Sequence, residues 1–210
     1  MKPSPRVLLI GNGQTPPAAF LRAQAAAADV VVATDGAADK ALSSGVKSQV
    51  IIGDFDSVSP RAKKQLSAAT WIFVDRQDNT DLEKALTWLS AQKYTRVTLC
   101  GFTGGRLDFT IGNLLSLTPY ARILQLTLTG PGWSLCPLTH RLTRPCAPGA
   151  RVSLLCTAPC SGVTTSGLYY PLKNARIDAA QPGRFLSNKT TGKRFSVSLT
   201  KGVLWVYFED

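Results

Sequence analysis

Asp54 and Asp56 stand two apart in Ile51-Ile-Gly-Asp-Phe-Asp-Ser57, where a short apolar run ends. In an extended chain, residues two apart project to the same side. Two carboxylates so placed repel each other unless a cation sits between them. Hard divalent cations, Mg²⁺ above all, are held by one or two carboxylates together with phosphate oxygens of a substrate. Gly53 lets a backbone or a phosphate come close, and Ser57 and Pro60 end the strand. An isolated Asp-x-Asp is explained as well by a polar turn, because Asp populates turns readily. This one has company.

Asp78-Asn-Thr-Asp81 precedes Leu82, Ala85, Leu86 and Leu89, whose helical spacing predicts an amphipathic helix starting at Thr80 or Asp81. Capping and the helix macrodipole account for an Asp at position 81 without any ligand. They do not account for Asp78, which lies before the cap. Gly101-Phe-Thr-Gly-Gly-Arg-Leu-Asp108 follows the apolar run Arg96–Cys100 and precedes Ile111, Leu114 and Leu115. Strand, glycine-rich turn and helix is the layout in which backbone N–H groups meet phosphate oxygens, and Arg106 adds a planar fork suited to phosphate. Gly11-Asn-Gly13 after Val7–Ile10 matches neither the dinucleotide fingerprint nor the phosphate-binding loop. Four clusters of Asp, Gly and Arg at strand ends describe one ligand class, a metal-bound polyphosphate.

The elements that must position these residues alternate over the first 128 positions. Strands are predicted at 6–10, 30–34, 50–53, 70–74, 96–100 and 123–128, with helices at 17–27, 37–43, 60–67, 80–91 and 107–117. Continuous apolar strands alternating with helices imply an α/β fold, a mainly parallel Rossmann-like sheet covered on both faces. Ligands bind such sheets at the carboxyl ends of the strands, which is where every cluster falls. After Gly130-Pro-Gly132 the pattern becomes short β-rich runs at 151–156, 162–165, 167–170, 195–200 and 203–208, the signature of a small all-β sandwich. Lys201-Gly202 predicts a tight hairpin between the last two runs. The final strand is apolar on both faces, so the core and a second subunit are expected to bury it. The division expected is 1–130 for an α/β domain holding the metal-bound polyphosphate, and 131–210 for a β-sandwich domain.

Composition narrows the classes. With 210 residues, 44% hydrophobic and 18% charged, the chain can bury a sizeable core. No apolar run approaches the ~20 residues that cross a bilayer, and Val7–Ile10 is too short for a signal-peptide core, so no membrane partner and a cytoplasmic location are expected. Five cysteines, an odd number, argue against a disulfide framework, and the close Cys pairs of structural zinc sites are missing. The single histidine, His140, has no nucleophile elbow near it. Net charge is +11, concentrated after residue 128, where ten basic residues face three acidic ones. The basic residues form no tight run and no aromatic-plus-basic RNA motif, so a field drawing in polyphosphate anions is the reading, with no nucleic-acid partner.

The chain resembles the thiamine pyrophosphokinases. Asp35-Gly-Ala-Ala-Asp39, Gly53-Asp-Phe-Asp-Ser57, Asp78-x-Thr-Asp81, Gly104-Gly-Arg-x-Asp108, Gly167-Leu-x-Tyr-Pro-Leu172 and Ser187-Asn188 occur in that family's order and spacing. Phe109 departs from the pattern, standing where many relatives carry His. The resemblance implies transfer of a pyrophosphoryl group from ATP to the hydroxyl of thiamine, with Mg²⁺ and release of AMP. It implies Asp54, Asp56 and Asp81 as metal ligands, and Asp78 as the residue that orients or deprotonates the hydroxyl. Arg106 with Thr103, Gly104 and Gly105 would hold the ATP phosphates. Asp108 would orient Arg106 or the ribose, or merely cap a helix. Asn12 and Asp35 would hold adenosine or close turns. Ser187 and Asn188, with Gln77 nearby, would bind the thiamine pyrimidine. A homodimer with a composite active site is a further implication. The alternatives are pyrophosphoryl transfer to another hydroxymethyl heterocycle such as a pterin, a metal phosphohydrolase, and a non-enzymatic basic nucleotide- or RNA-binding module.

Overall fold

The computed structural model describes residues 4–75 and 78–209. It divides into two compact units, Met1–Pro131 and Gly132–Asp210. In the first, strands β1 (Arg6–Ile10), β2 (Val30–Thr34), β3 (Val50–Gly53), β4 (Thr70–Phe73), β5 (Arg96–Cys100) and β6 (Gln125–Gly130) alternate with helices. The helices are α1 (Ala18–Ala27), α2 (Ala37–Ser43), α3 (Pro60–Gln65), α4 (Asp81–Ala91) and α5 (Leu107–Leu117). The strands lie in the order β6-β5-β1-β2-β3-β4 and every pair is parallel. Parallel pairing puts all carboxyl ends on one edge, so the loops after β1, β2, β3 and β5 gather there.

The sequence reasons are local. Leu8, Leu9, Ile10, Ile51, Ile52 and Leu99 are fully buried, as continuous apolar strands under two helical layers require. Helix α4 buries Leu82, Ala85, Leu86 and Leu89 on one face, and each large side chain so buried contributes about 1.5–3 kcal/mol. Its first turn is fixed by a capping box: Thr80 accepts from the Glu83 N–H, and Glu83 accepts from the Thr80 N–H at 2.9 Å. Thr80 is therefore the cap, and the Asp81 carboxylate is left for other work. Boundaries differ from expectation mainly at β6, which runs from Gln125 to Gly130 because a 3-10 turn at Pro119–Arg122 takes the residues before it.

The second unit holds β7 (Trp133–Leu138), β8 (Arg141–Pro145), β9 (Arg151–Leu155), β10 (Cys160–Ser166), β11 (Ala175–Ile177), β12 (Asn188–Lys189), β13 (Arg194–Ser198) and β14 (Leu204–Glu209). They form two antiparallel layers, β12-β9-β14-β7 and β11-β10-β13-β8. Between them pack Val152, Leu154, Val163, Phe195, Val197, Leu204, Val206 and Phe208. Two expectations are corrected here. The last two strands are no hairpin: β13 pairs with β8 and β10, whereas β14 pairs with β7 and β9. Lys201-Gly202 carries the chain from one layer to the other, so its turn chemistry is real but joins layers rather than neighbours. The run 167–170 is not a strand. Gly167, at φ +72°, has its Cα facing the Arg194 carbonyl where a Cβ would lie 2.3 Å away, and only one bridge, Leu168 to Thr190, follows. β14 is central in its layer: Leu204, Val206 and Phe208 face the core between the layers, while on the other face Trp205 is buried and Tyr207 half-buried.

Candidate active site

The carboxylates converge. One oxygen from each of Asp35, Asp54 and Asp56 lies within 4.8 Å of the others. Asp54 and Asp56 leave the end of β3. Asp35 leaves the end of the adjacent β2, with its N–H donated to the Ile52 carbonyl at 2.9 Å. Asp35 is 5% exposed, and its Oδ1 has no hydrogen-bond partner among the described residues. A buried carboxylate oxygen without a donor is costly unless a cation supplies the missing charge. Burial pushes the Asp35 carboxyl above its ordinary value against a hydrogen bond from Ser57, and the charges of Asp81, Asp54 and Asp56 push it further. The Ser57 hydroxyl, at 2.8 Å, chiefly holds Asp56 below its ordinary value. Gly53 is required: a Cβ there would sit 2.9 Å from the Asp35 Cβ. Three oxygens of hard donors, one buried and unsatisfied, fit a divalent cation of the Mg²⁺ class.

Asp81 is close enough to raise Asp35 but does not belong to this trio. Its Oδ1 lies 3.2 Å from Nζ of Lys84, which is almost wholly buried. Asp78 is exposed. Gln77 lies outside the described residues.

A cleft of about 780 Å³ opens beside Thr34 and Asp81. Its floor is two turns packed backbone on backbone: the Gly11 N–H donates to the Cys100 carbonyl at 2.8 Å, Gly13 to Gly101 at 2.7 Å and Gln14 to Thr103 at 3.0 Å. Asn12, Gly104, Gly105 and Arg106 line it, and the Thr103 carbonyl is taken by Gln14. Arg106 is held from two sides. Its guanidinium donates to Asp108 at 3.1 and 2.5 Å and lies 4.4 Å over the Phe109 ring. Asp108 thus faces Arg106 rather than capping α5, and that bond lowers its pKa and raises that of the arginine.

Lining residues to which the sequence alone assigns no role include Gln14, Thr34, Lys40, Phe102, Phe109 and Asn113. Lys40 donates from Nζ to the carbonyls of Asn12 and Gly13 at 2.7 and 2.8 Å, and burial lowers its pKa. A lone lysine on a short helix carries no local signal, because its partners are backbone atoms 27 and 28 residues away. Asp39, in the same run as Asp35, serves a different end: its carboxylate accepts from the hydroxyl and N–H of Ser59, which caps α3.

In the second unit Ser187 is exposed at φ +58°, its N–H donated to Ser153 Oγ at 2.9 Å. The Asn188 carboxamide is already engaged: Oδ1 accepts from the N–H groups of Tyr170 and Lys189 at 3.1 and 2.9 Å, and Nδ2 donates to the Tyr170 carbonyl at 2.8 Å. It pins a segment whose Tyr169 and Tyr170 rings are both 68% exposed and meet edge to face at 4.9 Å.

The chain is thus an α/β unit with a carboxylate trio and a glycine-floored cleft at its strand ends, followed by a β-sandwich. The model of the thiamin pyrophosphokinase catalytic domain matches residues 21–128, and that of the thiamin pyrophosphokinase vitamin B1 binding domain matches residues 139–204. The chain belongs to the thiamin pyrophosphokinase family. It is 34% identical over 147 residues to thiamine pyrophosphokinase 3 of Oryza sativa subsp. japonica, covering 62% of this chain and 54% of that protein. It is 30% identical over 76 residues to thiamine pyrophosphokinase of Bacillus subtilis, covering 35% of this chain and 36% of that protein. These matches thus span about a third to a half of the relatives' length. The crystal structure of the Bacillus subtilis enzyme superposes with a TM-score of 0.82 at 21% identity, covering 97% of this chain and 99% of that one, a likeness of fold.

Proposed function

We propose that this protein transfers a pyrophosphoryl group from ATP to the hydroxyl of thiamine, giving thiamine diphosphate and AMP, and that the reaction needs Mg²⁺. The observation that carries the reading is the convergence of Asp35, Asp54 and Asp56 beside a cleft lined by Arg106. Bound at the trio, Mg²⁺ would neutralise charge on the phosphate oxygens. The metal set is thus Asp35, Asp54 and Asp56, with Asp81 adding charge from alongside, bridged to Lys84. Arg106, fixed by Asp108 and Phe109, meets the phosphate tail together with Gly104 and Gly105. Asn12 and Lys40 shape the turn where the nucleoside lies. The attacking hydroxyl must reach the β-phosphorus in line, and Asp78 is placed before α4 to orient it. Thiamine recognition falls to the second unit. Ser187 supplies a free hydroxyl, and Asn188 holds the Tyr169–Tyr170 segment; Gln77 is the remaining candidate.

The working form is proposed to be a homodimer whose subunits complete each other's sites. Leu107, Ile111 and Leu115 form an exposed apolar row on α5 that a second copy would cover. A monomer in sedimentation at working concentration removes this part of the reading. Five free thiols suit a reducing compartment such as the cytoplasm, and no described helix is long and apolar enough to cross a membrane.

The test follows ATP conversion with and without thiamine. AMP formed one for one with thiamine diphosphate, and none without acceptor, is the expected result. Phosphate release without acceptor would indicate a phosphohydrolase. Turnover only with a pterin would indicate the other pyrophosphokinase, and no turnover at all a binding module. Each of these outcomes overturns the proposal.

A further inference from the structure

Asp54 and Asp56 lie beyond the last residue of β3, so strand pairing does not hold them, and with Asp35 they form a trio of like charges. The residue between them is unusual. Phe55 has φ +66°, in the left-handed region. A non-glycine residue there costs about 1–2 kcal/mol, so something must hold it. Its ring meets Trp71 edge to face at 5.0 Å and Phe73 at 5.9 Å, both on β4. Trp71 is itself fixed, donating its indole N–H to the Leu66 carbonyl at 3.2 Å. The Phe55 carbonyl accepts from Nζ of Lys63 on α3 at 3.0 Å. The peptide linking two carboxylates is thus gripped at its side chain by β4 and at its carbonyl by α3.

We propose that Phe55, seated on Trp71 and Phe73 with its carbonyl held by Lys63, is the positioning residue that keeps Asp54 and Asp56 converged on one divalent cation. Trp71 then reports cation binding, because its ring touches the residue that links two ligands. The proposal rests on the reading of the trio as a cation site. It assigns Phe55 and Lys63 no contact with substrate. The aromatic residue and the strain act together: glycine would adopt the backbone freely yet lose the anchor, and alanine would keep the strain and lose the anchor.

The experiment is calorimetric titration of the full chain with Mn²⁺ without nucleotide, with intrinsic fluorescence and thermal unfolding recorded alongside. The variants are Phe55→Ala, Phe55→Gly, Phe55→Leu, Lys63→Met, Lys63→Arg, Trp71→Phe and Asp54→Asn. Removing an outer partner of a metal ligand lowers affinity by about 10–100-fold. That range is expected for Phe55→Ala and Phe55→Gly, with a smaller loss for Phe55→Leu and Lys63→Met and recovery in Lys63→Arg. Mn²⁺ should change the emission of the native chain but not of Trp71→Phe. If the native chain binds Mn²⁺, Asp54→Asn does not, and a folded Phe55→Ala or Phe55→Leu binds like the native chain, the anchoring role is wrong and the cation site stands. Phe55→Gly binding more tightly than native would also overturn it, since strain alone would then matter. A native chain that binds no Mn²⁺ overturns the cation reading and this proposal together. Should the Phe55 variants fail to fold, Lys63→Met against Lys63→Arg decides by the same measurement.

Discussion

Gly13→Ala tests whether backbone-on-backbone packing builds the cleft floor. An added Cβ would lie 2.6 Å from the Gly101 carbonyl oxygen and 2.9 Å from that of Thr103. Gly13 is not among the positive-φ glycines, so the cost is steric and not conformational. Carbon and oxygen approach to roughly 3.3 Å, so the two turns must part by about 0.7 Å. The 2.7 Å bond from Gly13 and the 3.0 Å bond from Gln14 then stretch past the usual N–H···O range of about 2.7–3.2 Å. Losing two such bonds costs about 1–3 kcal/mol. Urea unfolding should show that loss, and thermal unfolding a fall of about 2–12 °C. Because the displaced turn lines the cleft, affinity for a non-hydrolysable ATP analogue should fall by about tenfold, equivalent to about 1.4 kcal/mol of binding. Gly112→Ala is the control. It lies within α5, where a new Cβ meets nothing within 4 Å, so the helix should gain about 0.5–1 kcal/mol. Gly13→Ala with stability and nucleotide affinity equal to the native chain would refute the reasoning.

Asp54→Asn and Asp56→Asn should each lower turnover by about two to three orders of magnitude while leaving the melting temperature near native; near-native turnover in both removes them from the chemistry. Ser187→Ala and Asn188→Ala should both weaken thiamine binding, but by different routes. Hydrogen exchange at the Tyr170 amide should quicken only in Asn188→Ala, which removes its acceptor, and unchanged exchange there contradicts the pinning role. Burial holds the Cys100 thiol protonated up to about 12, against 9.0 when exposed. The unfolded chain therefore loses this proton first, and stability falls as pH rises from 9 toward 12, by about 1.4 kcal/mol per unit from this group. Between pH 9 and 10, where the unfolded thiol passes from half to mostly ionised, urea unfolding of Cys100→Ala should show a slope shallower by about 1 kcal/mol per unit; equal slopes would exclude the effect.

The amino-acid sequence by itself determined the strand-and-helix alternation of the first unit, the start of α4 and the β character of the second. These rest on short-range periodicity and capping, which act between residues a few positions apart. It also placed the candidate site residues at strand ends, since each cluster follows its strand's last apolar residue. What it left open depends on distant neighbours. Asp35, expected beside adenosine, joins Asp54 and Asp56 only because β2 and β3 are adjacent parallel strands. Asn188, expected to face thiamine, spends its carboxamide on Tyr170, and Lys40 meets the Asn12 turn across 28 residues. The last two strands look like a hairpin from their spacing, yet they part into two layers, β13 pairing with β8 and β10 and β14 with β7 and β9. Periodicity is written in consecutive residues; the convergence of charges and the choice of strand partners exist only once the chain has closed on itself.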